Sequence, residues 1–218
     1  MVTLRVFGRR PGTPSVESVP TMPSRRLVLA SASSARLRLL RDAGFGPEVV
    51  VTNVPEDDVH ARDARSAVAT LARRKAEAAA PGVAGALVLG CDSLLERDGH
   101  AYGKPSSAAE AATWWRAMRG RTGTLCTGHC LIDTPTGGVA EEVATTVVRF
   151  GTPSDAEIEA YVATGEPVRV AGGFTLEGRA GLFVDGIDGD HGAVLGLSLP
   201  VLRRLLGRLG VEVTALWC

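Results

Sequence analysis

A short apolar run, Gly85-Ala86-Leu87-Val88-Leu89, constrains the fold more than any other segment of this chain. It is uncharged and opened by glycine, which is typical of a buried strand. Asp92 follows closely, and open α/β sheets place their ligands at such carboxyl ends of strands. Further on, Gly103-Lys104-Pro105 puts a cation on a turn. An acid and a lysine beside one sheet edge suit a metal-bound polyphosphate; the alternative is an aspartate that only caps the next turn.

The composition indicates one large α/β domain or two small lobes. The chain has 218 residues, of which 45% are hydrophobic and 22% charged. Lys+Arg and Asp+Glu balance at 24 each, so no basic field attracts nucleic acid. No apolar run approaches the ~20 residues that span a bilayer. We therefore expect neither a nucleic-acid partner nor a membrane.

The cysteines favour a reducing compartment. Four in a chain this long are too sparse for a disulfide framework. Cys126 and Cys130 flank His129, but they share one face of a predicted strand, and a zinc site would need further ligands. We expect reduced thiols in a cytoplasmic protein.

The first 24 residues differ from the rest. Residues 1–24 are rich in Pro, Ser, Arg and Gly and lack a periodic apolar face, which predicts a disordered N-terminal extension. They contain no long apolar region of the kind that marks a secretory signal. Met22, just before the first predicted strand, is an alternative start.

Strand and helix patterns alternate along the remainder and predict an α/β fold. Strands are predicted at 26–30, 48–52, 85–89, 124–132 and 141–150, and helices at 35–43, 63–80, 107–120, 154–162 and 201–209. Ser107 with Glu110 and Ser154 with Glu157 predict capping boxes. The glycine-rich stretch 165–196 indicates tight turns and close backbone approach, or simply economical loops.

A phosphate cradle is predicted where the first strand turns into the first helix. The turn Ser31-Ala32-Ser33-Ser34 leads into a helix whose N-terminal N–H groups attract anions. Arg36 adds a bidentate donor in the first turn. The Walker pattern is absent, and a strand, a serine turn and a helix are common enough that this signal does not decide alone.

Together these segments resemble the Maf family. The matching motifs, in order and spacing, are Leu29-Ala30-Ser31-Ala32-Ser33-Ser34-Ala35-Arg36, Glu56, Lys75, Gly90-Cys91-Asp92-Ser93 and Gly103-Lys104-Pro105. Further matches are Tyr161-Val162-Ala163-Thr164-Gly165-Glu166-Pro167, Ala171-Gly172-Gly173-Phe174, Gly189-Asp190 and Val194-Leu195-Gly196-Leu197-Ser198-Leu199-Pro200. The resemblance covers about residues 26–209, and it is specific because so many motifs are in register.

The resemblance implies a nucleoside triphosphate pyrophosphatase. Such an enzyme cleaves between the α- and β-phosphates, giving a nucleoside monophosphate and pyrophosphate, and removes unwanted nucleotides, including modified ones. It implies Mg²⁺ or Mn²⁺ as the cofactor and a homodimer as a common state. The implied fold is similar to that of inosine-triphosphate pyrophosphatases: an elongated mixed sheet, two α/β lobes and a central cleft. Residues 25–218 are then a single catalytic domain.

Carried onto this sequence, the resemblance implies four catalytic residues. Asp92 matches the base that activates water, and Glu56 matches an acid that holds the metal together with Asp92. Lys75 and Lys104 match lysines that face the phosphates. From the residues alone, the basic run Arg73-Arg74-Lys75 favours a solvated helix face over a functional role for Lys75.

The resemblance also implies substrate-binding residues. Ser31, Ser33 and Arg36 match the phosphate-side loop. Glu177 stands at a position often held by Gln in the pyrimidine-specific subgroup, which leaves base preference open. The usual basic residue before Ala-Gly is Val170 here.

Two alternatives accompany the enzyme hypothesis. One is a non-catalytic nucleotide-binding regulator of cell division and septum formation that uses the same cleft. The other is a metal phosphohydrolase acting on a different phosphorylated small molecule. The presence of both acids, Glu56 and Asp92, favours an enzyme, because a pure binder could lose them.

Overall fold

A computed structural model describes residues 25–56 and 61–218, so the predicted extension 1–24 lies outside the described residues. The strands are β1 (Arg26–Leu29), β2 (Glu48–Val49), β3 (Ala86–Arg97), β4 (His100–Tyr102), β5 (Thr122–Asp133), β6 (Gly138–Phe150) and β7 (Val184–Asp188). They form one seven-stranded sheet in the order β2-β1-β3-β5-β6-β7, with β4 beside β3. β1 runs parallel to β2 and β3, and the remaining pairs are antiparallel. The predicted mixed α/β sheet is confirmed.

The α-helices begin at side-chain caps. They are α1 (Ser34–Asp42), α2 (Ala64–Ala79), α3 (Ala108–Met118), α4 (Asp155–Ala163), α5 (His191–Val194) and α6 (Leu199–Arg208). The capping box of Ser154 and Glu157 is confirmed. The box predicted at Ser107 forms only in part. The Ser107 hydroxyl accepts from the Glu110 amide at 3.2 Å, but the Glu110 carboxylate accepts from the backbone N–H and hydroxyl of Ser106 and not from the Ser107 amide.

β3 is longer than the sequence predicts. It was expected to end at Leu89, just before Asp92, but it continues to Arg97. Its parallel pairing with β1 does end at Leu89, whereas antiparallel pairing with β5 carries it on to Glu96. Asp92 therefore lies inside a strand, just past the point where the parallel part of the sheet stops.

The core lies on both faces of the sheet. On one face near β1, α1 and α6 cover a cluster that includes Leu29, Leu40, Leu202 and Leu205. On the other face, alanines of α2 cover Val28 and Val88. A further cluster beneath α3 and α4 contains Trp115, Phe150 and Phe174. The division into two lobes stays an expectation of the family resemblance.

Two glycines bring α2 unusually close to the sheet. A Cβ at Gly90 would lie 2.1 Å from the carbonyl oxygen of Ala72, and one at Gly128 would lie 2.3 Å from that of Val68. Only glycine allows this approach of helix to strand backbone. As a result, the side chains of α2 that face the sheet lie directly over the centre of β3.

The cysteines are free thiols. Cys91, Cys126 and Cys130 are buried, and burial raises the pKa of the Cys91 and Cys130 thiols to about 12. His129 Nε2 accepts a 2.8 Å hydrogen bond from the Ser198 amide.

None of the helices within 25–56 and 61–218 is both long and apolar enough to cross a membrane.

Candidate active site

The candidate site opens where the sheet splits. β3 pairs with β1 as far as Leu89 and with β4 from Leu95 onwards, and Asp92 lies between these two positions. A cleft of about 1340 Å3 lies beside this gap. Its volume exceeds the ~300–1,000 Å3 of typical small-molecule pockets, so it can accommodate a nucleotide with its phosphates.

One ammonium joins the two predicted acids. Lys75 Nζ lies 2.5 Å from Asp92 Oδ1 and 2.7 Å from Glu56 Oε1. Asp92 and Lys75 are buried, whereas the Glu56 side chain is 49% exposed. Three residues far apart in sequence thus converge on one point of the cleft, as the resemblance implies for a catalytic centre.

Helix α2 places Lys75 there. Lys75 lies on the face of α2 that packs on the sheet, and the close approach at Gly90 lets its ammonium reach Asp92. Both residues of β3, Gly90 and Asp92, are on the α2 face because strand side chains alternate. The alternative of a solvated helix face is wrong for Lys75, which is 8% exposed.

The local charge keeps Glu56 ionised. Partial burial on its own would raise the pKa of this carboxyl group, but the hydrogen bond from Lys75 and the charges of Lys75, Lys104 and Arg36 outweigh it. The net effect lowers the pKa of Glu56. The carboxylate is therefore available as a charged oxygen ligand at neutral pH.

Arg36 is engaged by the protein itself. Its Nε donates to the Gly196 carbonyl at 2.8 Å, and its terminal nitrogens donate to the hydroxyls of Ser31 at 3.0 Å and Ser93 at 3.3 Å. A guanidinium has five N–H groups, so two remain for a ligand. Arg36 both lines the cleft and ties its walls together.

The turn predicted to bind the phosphates leads from β1 into α1, and its role toward phosphate stays a prediction. Ser33 caps α1, and its hydroxyl accepts from the Arg36 amide at 3.3 Å. Ser31 Oγ accepts from the Ser33 amide at 3.2 Å. The segment Ala30–Arg36 lines the cleft, so the N-terminus of α1 opens into it.

The two remaining predicted residues, Lys104 and Glu177, are not part of the buried cluster around Lys75. Lys104 is exposed and lines the cleft. Glu177 lies outside the lining and forms an ion pair with Arg38 of α1. The structure thus brings together all the predicted site residues except Glu177, whose role toward the base stays a prediction.

Comparison with known proteins decides the family. Residues 26–209 match the family described as Maf-like protein. The chain belongs to this family. The resemblance on which the site residues were chosen is therefore confirmed.

Relatives of this Maf-like protein share most of its length. A Streptomyces avermitilis protein named nucleoside triphosphate pyrophosphatase is 59% identical over 197 residues, which cover 89% of this chain and 96% of that protein. A Streptomyces coelicolor protein of the same name is 60% identical with the same coverage. A Salinispora tropica protein, also so named, is 51% identical over 88% of this chain and 87% of its own length.

Sequence reasoning assigned no role to Ser93, which holds this Maf-like site together. Ser93 alternates with Asp92 along β3 and so faces the opposite side of the sheet, where it accepts from Arg36. Its hydroxyl also lies 3.0 Å from that of Thr127, which donates to the Ala193 carbonyl. The strand alternation was the available signal, but it was hidden because β3 was expected to end before Asp92.

Sequence reasoning also missed the part of the cleft lining that comes from residues 174–179 and Glu166, which we call the second wall. Phe174, Thr175 and Arg179 line it, together with Glu166. They come from the glycine-rich stretch, where the sequence indicated close approach without saying to what. In this Maf-like protein these residues line the same cleft as Asp92, Glu56 and Lys75.

The acids suit a divalent metal that shares its ligands with a substrate. Within 25–56 and 61–218, no group of three or more His, Cys, Asp or Glu side chains is arranged to hold a metal ion. Mg²⁺ commonly takes one or two carboxylates together with substrate phosphates and water. Asp92 and Glu56 supply two carboxylates that already meet one cation, the Lys75 ammonium. Their chemistry therefore fits such an ion.

Proposed function

We propose that this protein is a nucleoside triphosphate pyrophosphatase that converts a ribo- or deoxynucleoside triphosphate to the monophosphate and pyrophosphate. The observation that carries the proposal is the convergence of Asp92 and Glu56 on Lys75 in a cleft that also contains the N-terminus of α1. The names of the Streptomyces relatives, at 59% and 60% identity, support the same reaction. Modified nucleotides are included among the proposed substrates.

The phosphate end of the substrate belongs beside α1 and β3. A polyphosphate carries several negative charges, so it needs fixed cations and N–H donors aimed at it. Lys104 is exposed beside the cleft, and Arg36 retains two N–H groups. Ser31 and Ser33 shape the turn that presents the helix N-terminus. We assign these four residues to binding the triphosphate chain.

Asp92 is the proposed general base. A carboxylate can accept the proton of a water molecule as the water oxygen attacks phosphorus. The bond between the α- and β-phosphates then breaks, and pyrophosphate leaves with the bridging oxygen. Lys75, held by Asp92 and Glu56, places a positive charge beside the negative charge that develops in this step.

Asp92 and Glu56 would also hold Mg²⁺ or Mn²⁺. When bound, such an ion supplies charge neutralisation to the phosphates and orients the reacting groups. The lowered pKa of Glu56 keeps its carboxylate charged for this purpose.

The nucleoside end is assigned to the second wall. The Thr175 hydroxyl and the backbone beside it suit a nucleoside better than a phosphate chain, and Phe174, which is 4% exposed, supports this wall from the core. Glu177 lies in the same segment and is the proposed reader of the base. An ionised carboxylate only accepts hydrogen bonds, so it disfavours a carbonyl oxygen such as O4 of uracil.

We propose further that the protein works in the cytoplasm as a homodimer, without nucleic acid or membrane as a partner. Free buried thiols and a balanced charge support the location and the absence of such partners. The family resemblance supports the dimer. A house-cleaning role in nucleotide metabolism follows from the reaction.

Product analysis tests the function. Purified protein with Mg²⁺ is incubated with a panel of canonical and methylated nucleoside triphosphates, and the phosphorus products are separated. Monophosphate with pyrophosphate supports the proposal. Diphosphate with phosphate indicates the alternative phosphohydrolase, and binding without turnover indicates the non-catalytic regulator.

A further inference from the structure

The second wall of the cleft is a short segment fixed at its beginning. The Gly173 carbonyl accepts hydrogen bonds from Trp115 Nε1 at 2.9 Å and from the Tyr161 hydroxyl at 3.3 Å. Gly172 donates to the Gly103 carbonyl at 2.7 Å. Both donors to Gly173 come from buried aromatic side chains, so this end of the segment is tied to the core.

The end of the same segment is held by one carboxylate. Glu166 Oε2 accepts from the Arg179 amide at 3.2 Å, and Oε1 accepts from the Ala180 amide at 3.4 Å. The Arg179 guanidinium lies 3.9 Å from Oε2. A Cβ at Gly178 would lie 2.3 Å from Oε1, so the backbone there packs directly on the carboxylate.

The residues between these two anchors line the cleft. Phe174, Thr175 and Arg179 contribute to its surface, and the Glu166 side chain, 19% exposed, lies beside them. Asp92, Glu56 and Lys75 come from other elements. Lys104 follows Gly103, whose carbonyl accepts from Gly172 at the core-bound beginning of the segment and not from the part that Glu166 holds. The position of the wall can therefore change while the phosphate end stays intact.

We propose that Glu166 is a positioning residue that holds the segment 174–179 where it binds the nucleoside part of the substrate. This inference rests on the proposed function and adds a determinant of nucleoside binding to it. The carboxylate acts through the backbone N–H groups of Arg179 and Ala180, which fix how far the wall stands from the phosphate end.

Loss of the carboxylate has a selective consequence. Without it, two N–H groups lose their charged acceptor, and the segment moves to find water or another partner. A nucleoside monophosphate, which touches the wall, then binds more weakly. Pyrophosphate, which lies at the phosphate end, keeps its affinity.

The test measures both product affinities by calorimetry in Mg²⁺ buffer, with UMP, GMP and pyrophosphate as the ligands. For Glu166→Ala we expect the Kd of UMP or GMP to rise about tenfold and that of pyrophosphate to change less than about twofold. Glu166→Gln keeps one acceptor oxygen and should recover part of the loss; it also serves if the alanine variant does not fold.

Glu157→Ala is the matched control. Glu157 is also a glutamate that accepts from a backbone amide, that of Ser154 at 2.7 Å, but it lies outside the cleft lining. Its loss should lower the melting temperature and leave all Kd values unchanged. Equal weakening of monophosphate and pyrophosphate in Glu166→Ala, or no weakening of either, overturns the positioning role. Product analysis of the unaltered protein tests the pyrophosphatase activity separately, so the two proposals fail in distinguishable ways.

Discussion

Asp92 and Glu56 both accept hydrogen bonds from the Lys75 ammonium. The proposed reaction depends on the negative charge of Asp92, because that carboxylate is the proposed general base. Asp92→Asn keeps the size of the side chain and an oxygen that can accept from Lys75, but it removes the base. We expect kcat for triphosphate hydrolysis to fall more than about tenfold, or ~1.4 kcal/mol of barrier. The protein should still fold, with a lower melting temperature, because buried Lys75 loses one of its two charged partners. Steady-state kinetics and thermal melting measure both quantities.

A surface aspartate provides the control for that variant. Asp155 pairs with Arg116 and Arg119 outside the cleft lining, and such exposed pairs contribute little. Asp155→Asn should leave kcat unchanged. An Asp92→Asn enzyme that retains more than about a tenth of the normal kcat would contradict the assigned role.

Glu177 tests base preference. Gln offers a donor and an acceptor that match N3–H and O4 of uracil and thymine, whereas a carboxylate only accepts. Glu177→Gln should raise the kcat/KM of UTP and dTTP relative to GTP and methylated GTP, by an amount worth ~1–3 kcal/mol. The ratios are measured on one enzyme preparation with all four substrates.

Glu177 forms an ion pair with Arg38, so the effect of breaking that pair has to be measured separately from the effect of removing the carboxylate. Arg38→Gln breaks the pair but leaves the carboxylate in place, so it should not move the ratio toward pyrimidines. If Arg38→Gln and Glu177→Gln shift the ratio equally, the pair itself sets the preference. No shift in Glu177→Gln would remove Glu177 as the reader of the base.

Neighbouring cations can differ completely in environment. In the run Arg73-Arg74-Lys75, the Arg73 side chain is 50% exposed, whereas the Lys75 side chain is 11% exposed. The residue types alone predict a solvated face for the whole run. Only the packing of α2 on the sheet separates them, and it was the family resemblance that identified Lys75.

The contact between α2 and β3 decides where the lysine stands. A Cβ at Gly90 would lie 2.1 Å from the Ala72 carbonyl oxygen, so helix and strand must separate in Gly90→Ala. Overpacking of this kind costs ~1–3 kcal/mol. We expect a lower melting temperature together with a lower kcat, because Lys75 moves away from Asp92 with its helix.

A glycine in α6 should respond to substitution by alanine in the opposite way, with a gain in stability. Gly207 lies within the helix with nothing within 4 Å of the place where a Cβ would be. Gly207→Ala should therefore stabilise the protein by ~0.5–1 kcal/mol through helix propensity and leave kcat unchanged. Chemical denaturation of both variants separates a general sensitivity to added methyl groups from a specific one at the α2 contact.

The length of β3 shows which part of an element the sequence predicts. Its apolar beginning was recognised, because Leu87, Val88 and Leu89 are a buried run. Its polar continuation through Asp92 was not, because pairing with β5 is a long-range interaction that local residue pattern does not contain. For the same reason β7, Val184–Asp188, went unrecognised: it is short, contains Gly186 and depends on pairing with β6.

At the scale of the whole molecule, the alternation of strands and helices was enough to predict an α/β fold, and the family resemblance implied that its sheet is mixed. The backbone of the glycine-rich stretch was predicted to approach its surroundings closely, and Gly172 confirms this: a Cβ there would lie 2.9 Å from the Leu95 side chain. What could not be predicted is the wall that this stretch forms. Its position depends on the hydrogen bond that Trp115 donates to the Gly173 carbonyl and on the one that the Arg179 amide donates to Glu166. Both bonds join residues distant in sequence, and their partners are backbone groups that the residue pattern does not identify.

The acid stability of the folded protein should report on the same cluster. Glu56 has a pKa lowered from its ordinary value of 4.5: burial opposes the shift, and Lys75, Lys104 and Arg36 more than compensate. A folded-state pKa below the unfolded one means that ionised Glu56 stabilises the fold. This contribution is fully present above the ordinary pKa and is lost as the pH falls through the lower folded value.

Glu56→Gln removes that contribution at every pH. The melting temperature of the unaltered protein should therefore exceed that of the variant at about pH 7, and the gap should close as the pH falls well below about 4.5. The gap should be modest, because the Glu56 side chain is 49% exposed, and it should shrink in high salt at neutral pH. A gap that stays constant or widens in acid would show that Glu56 does not hold its charge through the Lys75 cluster, and the proposed metal-binding acid would then have to be sought elsewhere.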